Sequence, residues 1–504
     1  MMDVISNLAL GFSVALSLQN LAYCFLGVLL GTLIGVLPGV GPLVTIAMLL
    51  PITFGLDPVS SLIMLAGIFY GAQYGGSTTA ILVNMPGEAS SAVTAIDGYQ
   101  MARQGRAGPA LATAAVASFV AGTISTLVVA FFGPLIGLWA LEFGAAEYFA
   151  LMLMGLVFSA VLAHGDLIKS LAMVAAGLML GIVGTDVTSG LPRFTFGLSE
   201  LLDGIGFTVI AVGLFAVAEI VQNVSKTEKV EIFSKDVKNL MPTWTDMKVA
   251  AKPTLRGTVL GSFFGALPGI TASVASFSAY MLEKKLAKDP SRFGQGAIEG
   301  VAAPEAANNA AAQTHFIPTL TLGIPATAVM ALMLGALTMQ GIQPGPEVMT
   351  SRPELFWGLV ASMFVGNLLL LVLNLPLVGV WARLTQVPYR WLFPAIMMFA
   401  ALGNYSLNNS AMEVYLCAAA GVLGYVMAKL ECHPAPLILG FVLGPMLEEN
   451  LRRALLMSDG SFAVFVTRPI SLTFLIVTAL LFVAMVMPAI RQRRNQATAD
   501  GGVD

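Results

Sequence analysis

The chain has 504 residues; 57% are A, V, I, L, M, F, W, Y or C, and only 11% are Asp, Glu, Lys or Arg. Soluble domains carry about 25% charged residues, so a fold of this size exposed to water is excluded and the chain reads as an all-α polytopic membrane protein. The net charge of −3 argues against a nucleic-acid partner, which selects a basic face.

In chain order, apolar stretches of span or half-span length fall at 20–37, 42–54, 58–73, 109–139, 147–163, 168–184, 205–222, 254–268 and 270–282. They continue at 316–340, 355–381, 391–407, 411–430, 434–447 and 467–489. Several are shorter than the ~20 residues that cross a bilayer, which predicts discontinuous helices and re-entrant hairpins. No basic residue precedes Arg103, so the N-terminal stretch lacks the positive n-region of a secretory leader. Cys24, Cys417 and Cys432 are dispersed, and Cys432 beside His433 has no further Cys/His cluster, so no metal site is expected.

Residues 223–256 form the main polar interruption, with Lys226, Lys229, Lys235, Lys238, Lys248, Lys252 and Arg256. The positive-inside rule places it in the cytoplasm, together with Arg103/Arg106, the Lys284–Arg292 loop and the Arg491/Arg493/Arg494 tail. The acidic loops at 142–147, 186–203 and 347–354 then lie outside, as does the N-terminus. Arg452 and Arg453 resist this scheme, though Glu448, Glu449 and Asp459 balance them. The expected organisation is a first membrane repeat (1–222), a cytoplasmic linker (223–256), a second repeat (257–490) and a cytoplasmic tail (491–504).

Two stretches carry the repeat. Gly27, Gly31, Gly35 and Gly39 recur every fourth residue and end in Leu37-Pro38-Gly39; 230 residues later Gly257, Gly261, Gly265 and Gly269 end in Leu267-Pro268-Gly269. Seven of thirteen aligned positions match, where composition alone gives about one. Charge bias reverses at equivalent loops: the turn after the first motif lacks basic residues, whereas Glu283–Pro290 is lysine-rich. Reversed bias is what two inverted-topology repeats require.

The stripes give bare helix faces for close packing. Pro38 and Pro268 should break their helices, and a break within lipid survives only where protein or a cavity covers it. A second pair of interruptions turns at Pro86 and Pro325. One runs from Tyr74 through Ser77, Thr78, Thr79, Asn84, Met85, Pro86 and Gly87 to Ser91; the other from Ala303 through Asn308, Asn309, Thr319 and Thr321 to Pro325. A single threonine there can simply bond back to its own helix, but the paired clusters point to a midplane site. They contain no Lys or Arg, so an anionic cargo would meet helix dipoles, hydroxyls, amides and a co-bound cation. The expected cargo contacts are Ser77, Thr78, Thr79, Asn84, Asn308, Asn309, Thr319 and Thr321, with the amides of Gly39, Gly87 and Gly269. Glu88 and Glu305 are the nearest intramembrane carboxylates and, with Asn308 and Gly323, the expected holders of a coupling cation; either glutamate could instead cap a helix N-terminus near the interface. His315 reads as a packing residue, and His164 and His433 as loop residues.

Together these stretches resemble the large membrane subunit of the bacterial tripartite tricarboxylate transporters. The matching text is the glycine run ending at Gly41, Tyr74–Ser91, Gly300–Asn309 and Ile317–Pro325. The resemblance implies a secondary active transporter of the inner membrane that works with a small integral-membrane subunit and a periplasmic solute-binding protein. That binding protein delivers an organic carboxylate, and sodium or proton symport drives uptake, with no other cofactor. By analogy the fold is elevator-like. Ala326 and Gln313-Thr314-His315 depart from the expected small residues at the site.

A channel would need a continuous polar stripe or charged ring, and a scaffolding subunit would need no coupled cycle. An enzyme needs an acid/base or nucleophile–base set, and none is grouped here.

Overall fold

A computed structural model describes residues 2–37, 41–162, 166–186, 188–223, 241–384 and 389–483. In order, the helices are α1 (Met2–Ala15), α2 (Leu18–Gly35), α3 (Pro42–Thr53), α4 (Pro58–Val83), α5 (Ala92–Arg103), α6 (Ala107–Ala140), α7 (Ala145–Leu162) and α8 (Leu167–Gly181). A short antiparallel pair follows, β1 (Gly184–Thr185) with β2 (Pro192–Arg193). Then come α9 (Phe207–Ala211), which continues through a π-turn into α10 (Ala218–Asn223), α11 (Trp244–Gly265), α12 (Ala272–Leu286), α13 (Glu299–Thr314), α14 (Phe316–Thr321) and α15 (Ala328–Met339). The chain continues through α16 (Glu347–Ser351), α17 (Pro353–Asn374), α18 (Val378–Leu384), α19 (Tyr389–Asn408), α20 (Ala411–Lys429), α21 (Pro434–Met457) and α22 (Val464–Thr467).

Among the described residues, α2, α6, α17 and α20 are long and apolar enough to cross a membrane by length and composition. The helices group into two compact units. One comprises Met1–Leu141 with Gly206–Tyr425, the other Glu142–Ile205 with Val426–Asp504. The larger unit therefore draws helices from both sequence repeats.

Within the larger unit the glycine stripes do what bare helix faces do. Gly27, Gly31 and Gly35 of α2 lie against the carbonyls of Met64, Ile68 and Ala72 on α4. In the second half, Gly257, Gly261 and Gly265 of α11 lie in the same way against Ala303, Ala307 and Ala311 on α13. A Cβ on Gly35 would fall 2.5 Å from the Ala72 oxygen, and one on Gly265 at 2.5 Å from the Ala311 oxygen. Packing this close leaves no room for a Cβ at these glycines.

The partner helix lies 37 residues downstream in the first half (Gly27 to Met64) and 46 in the second (Gly257 to Ala303). The second connection is nine residues longer, which turns the 230-residue offset into 239. Backbone conformation follows the new offset. Asn84 (φ 57) ends α4, and Gly323 (φ 69), 239 residues on, is the left-handed residue after α14. Glu88 (φ −144, ψ 164) and Thr327 (φ −144, ψ 171) then cap the next helices. Pro86 and Pro325 sit between these pairs, where a residue without an amide donor is tolerated. The backbone match at the 239-residue offset thus includes both turns.

Three sequence expectations change. The stretch 58–73 was expected to end before the polar residues, but α4 continues to Val83 because Ser77, Thr78 and Thr79 bond back to carbonyls of their own helix. The stretch 316–340 is two helices, interrupted at 322–327. The end of the 223–256 linker is already helical from Trp244, with Thr243 accepting from the Asp246 amide at 3.1 Å as its N-cap; residues 224–240 lie outside the described residues.

The smaller unit is held by the same device. Gly177 of α8 lies against the Leu437 carbonyl of α21, and Gly440 of α21 against the Val174 carbonyl of α8. Buried Glu147 pairs with Arg468 at 2.6 Å. The hairpin is braced by Arg452 on Asp186 (3.0 Å) and Arg193 on Glu448 (2.8 Å). Arg452 and Arg453, which strain the positive-inside scheme, are thus both paired with acids.

Candidate functional site

α13 is alanine-rich, so its neighbours approach its backbone closely; Ala302, Ala303, Ala306, Ala307, Ala310 and Ala311 are all fully buried. Against that background Glu305, Asn308 and Asn309 stand at positions i, i+3 and i+4, one face of the helix. Glu305 is 1% exposed. Its Oε1 accepts from Thr94 of α5 at 2.5 Å, and its Oε2 from Ser77 of α4 at 2.8 Å and Ser118 of α6 at 3.4 Å. Asn309 donates to Ser118 Oγ at 2.7 Å and to the Glu305 carbonyl at 3.1 Å. Asn308 donates to Glu88 Oε1 at 2.9 Å, and Ser90 donates to the same oxygen.

The arrangement is reciprocal. The carboxylate of the first half is held by an amide of the second, and the carboxylate of the second half by hydroxyls of the first. Every donor is neutral, and among the described residues neither glutamate makes an ion pair. Nor do three His, Cys, Asp or Glu side chains gather anywhere among the described residues, as a transition-metal site would need. A cavity beside Glu305, lined in part by Tyr74, Ser77, Thr78 and Ser118, leaves about 20 Å³ for water-sized occupants. That is room for one water or one small ion, and far too little for a tricarboxylate.

The other expected contacts divide. Thr78 lines this cavity but donates to the Tyr74 carbonyl at 3.4 Å. Thr79, Thr319 and Thr321 spend their hydroxyls on the carbonyls of Gly76, His315 and Ile317, the local role that a lone threonine takes in a helix. Asn84 is exposed at the end of α4. The Gly87 amide faces the Gly76 carbonyl at 3.4 Å, and the Gly269 amide donates to the Ala326 carbonyl at 2.9 Å. Both amides therefore face carbonyls of other segments of the chain. Gly323 is buried, and Pro268 lies in the turn between α11 and α12. Pro38, Gly39 and His164 lie outside the described residues. His315 is buried, with Nε2 3.0 Å from the Ile270 carbonyl, as a packing residue would be.

Thr94, Ser90 and Ser118 were not singled out by sequence. Thr94 and Ser118 are ordinary hydroxyls whose partner comes only from long-range packing, whereas Ser90 meets Glu88 two residues away. Asp97, one turn beyond Thr94, is also unforeseen. Its Oδ1 accepts the amides of Gly294, Gly296 and Ala297, each at 2.8 Å, and its Oδ2 accepts from Tyr280 at 3.0 Å. The two glycine amides are exposed to it because Gly294 (φ 86) and Gly296 (φ 99) are left-handed. Asp97 thereby pins α5 to the segment leading into α13 and sets Thr94 opposite Glu305.

The family model described as the tripartite tricarboxylate transporter TctA family matches residues 21–439. The chain belongs to this family. It is 58% identical over 496 residues to an Agrobacterium vitis protein described as "Uncharacterized 52.8 kDa protein in TAR-I ttuC' 3'region", covering 98% of this chain and 99% of that one. A second A. vitis protein, "Uncharacterized protein in TAR-II ttuC' 3'region", is 57% identical over 236 residues, covering 47% of this chain and 98% of that one. No solved structure matches. As a TctA-family chain it is a transporter subunit, and the matched region contains Glu88, Glu305 and all their partners.

Proposed function

We propose that this TctA-family chain is the conducting subunit of a cation-coupled importer for an organic carboxylate, in the inner membrane. A periplasmic solute-binding protein delivers the cargo and a small integral-membrane subunit completes the assembly. The observation that carries the reading is Glu305, a carboxylate 1% exposed whose side-chain partners are three hydroxyls and no cation.

Burying such a charge without a counter-ion costs several kcal/mol, and the hydroxyls offset only part of that. A cargo carboxylate 4 Å from Glu305 would add about 4 kcal/mol of repulsion at an effective dielectric near 20. Neutralising Glu305 with a sodium ion or proton removes both penalties, so cargo and cation favour each other's binding. This mutual preference is the thermodynamic content of symport. Glu88, held by Asn308 and Ser90, belongs to the same polar centre and adds a second place for positive charge. The repeated backbone turns at Asn84 and Gly323, with reversed charge bias at equivalent loops, favour inverted repeats moving in an elevator-like cycle.

Uptake of labelled carboxylates into vesicles bearing the chain, its small subunit and the binding protein tests this. Glu305→Gln should lower cation-driven uptake by at least about tenfold. An unchanged rate with unchanged cation dependence would overturn the proposal.

A further inference from the structure

The cavity beside Glu305 has one wall that the sequence motifs do not reach. Asn374, the last residue of α17, lines it and is 5% exposed. Its Nδ2 donates to the Leu370 carbonyl at 2.9 Å, while its Oδ1 is buried without a hydrogen-bond partner. Rotating the amide by half a turn would set Oδ1 against the Leu370 oxygen, acceptor against acceptor, so the hydrogen-bond pattern fixes the orientation. An amide oxygen left unpaired in this way is destabilising unless a ligand meets it.

We infer that the cavity is a binding site for one dehydrated sodium ion, with Glu305 supplying the charge and Asn374 Oδ1, Ser77 and Ser118 supplying neutral oxygens. The inference rests on the coupled-transport reading and gives its cation a place and an identity. Carboxylate, amide and hydroxyl oxygens are the hard donors that suit such an ion, and no sulfur or imidazole lines the cavity. The room, about 20 Å³, fits an ion that has shed its water. A proton would neutralise Glu305 but leave Asn374 Oδ1 unpaired; a cation satisfies both. Asn374 comes from α17, whereas Ser77, Ser118 and Glu305 come from α4, α6 and α13, so ion binding ties four helices together.

The test is sodium titration of uptake by the assembled transporter in vesicles. With Asn374→Ala, half-saturating sodium should rise at least about tenfold, with the maximal rate held within about twofold at saturating sodium and the small subunit still co-purifying. If that variant does not assemble, Asn374→Ser replaces it, and sodium in place of choline should also raise the melting midpoint of the wild-type chain. Unchanged half-saturation in an assembled variant, or no sodium effect on the midpoint, would overturn the inference. So would wild-type uptake that follows a pH gradient without sodium, which would assign a proton to Glu305 while leaving coupled transport standing. A wild-type assembly that concentrates no carboxylate would instead remove the transport reading itself.

Discussion

Among the described residues, buried carboxylates receive three kinds of partner. Glu283 is gripped by Arg256 through two bonds of 2.5 Å, and Glu147 by Arg468. Asp97 is satisfied by three backbone amides and a tyrosine. Glu305 has hydroxyl partners only, so no fixed positive side chain offsets its charge. Asp186, in the hairpin loop outside the spans, shows the effect of fixed partners. The Thr188 amide at 2.9 Å, aided by Arg452 and Ser189, draws its carboxyl down to about 2. A folded value below the ordinary one means that the contribution is complete above about pH 4 and fades as pH falls towards 2. Asp186→Asn should therefore lower the melting midpoint of the assembled transporter at neutral pH by about 1–3 °C. The gap to wild type should close as pH falls from 4 to 2, and a gap independent of pH would remove this account of the hairpin.

Between elements, the decisive contacts are glycine against carbonyl, and they make a sharp prediction. Gly265→Ala puts a Cβ 2.5 Å from the Ala311 oxygen, an overpacking that costs about 1–3 kcal/mol. Gly55→Ala, where nothing lies within 4 Å, should leave the melting midpoint unchanged. Equal midpoints for both variants would contradict the packing described here. The stripe itself was legible in the sequence, because a four-residue glycine period has one physical meaning on a membrane helix. The interruptions at Pro86 and Pro325 were legible too, because proline gives a continuing helix no amide donor, but the left-handed residues beside them, Asn84 and Gly323, were not. What α4 does after residue 73 was not. Hydroxyl-rich text reads equally as an interruption or as a helix with back-bonded side chains, and nothing local to Ser77–Thr79 decides between them.

At the scale of the whole molecule, Glu88, Glu305 and Asn308 could be picked out because charge and amide are rare in an apolar chain, and Ser77 because it opens a run of hydroxyls. Their partners could not. Thr94 is 211 residues from Glu305 and Ser118 is 187, and one sequence carries no record of which distant helices meet. Asn374 was hidden similarly, as a single amide at the end of an apolar span. Each half of the chain holds the other's carboxylate. A double-mutant cycle on thermal stability tests it most directly, using Thr94→Val, Glu305→Ala and the pair, since stability can be read whether or not the variants transport. The predicted result is a coupling energy of at least about 0.5 kcal/mol, as for residues in one hydrogen-bond network. Strictly additive losses would mean that these two residues from opposite halves do not meet, and the polar centre described here would not exist.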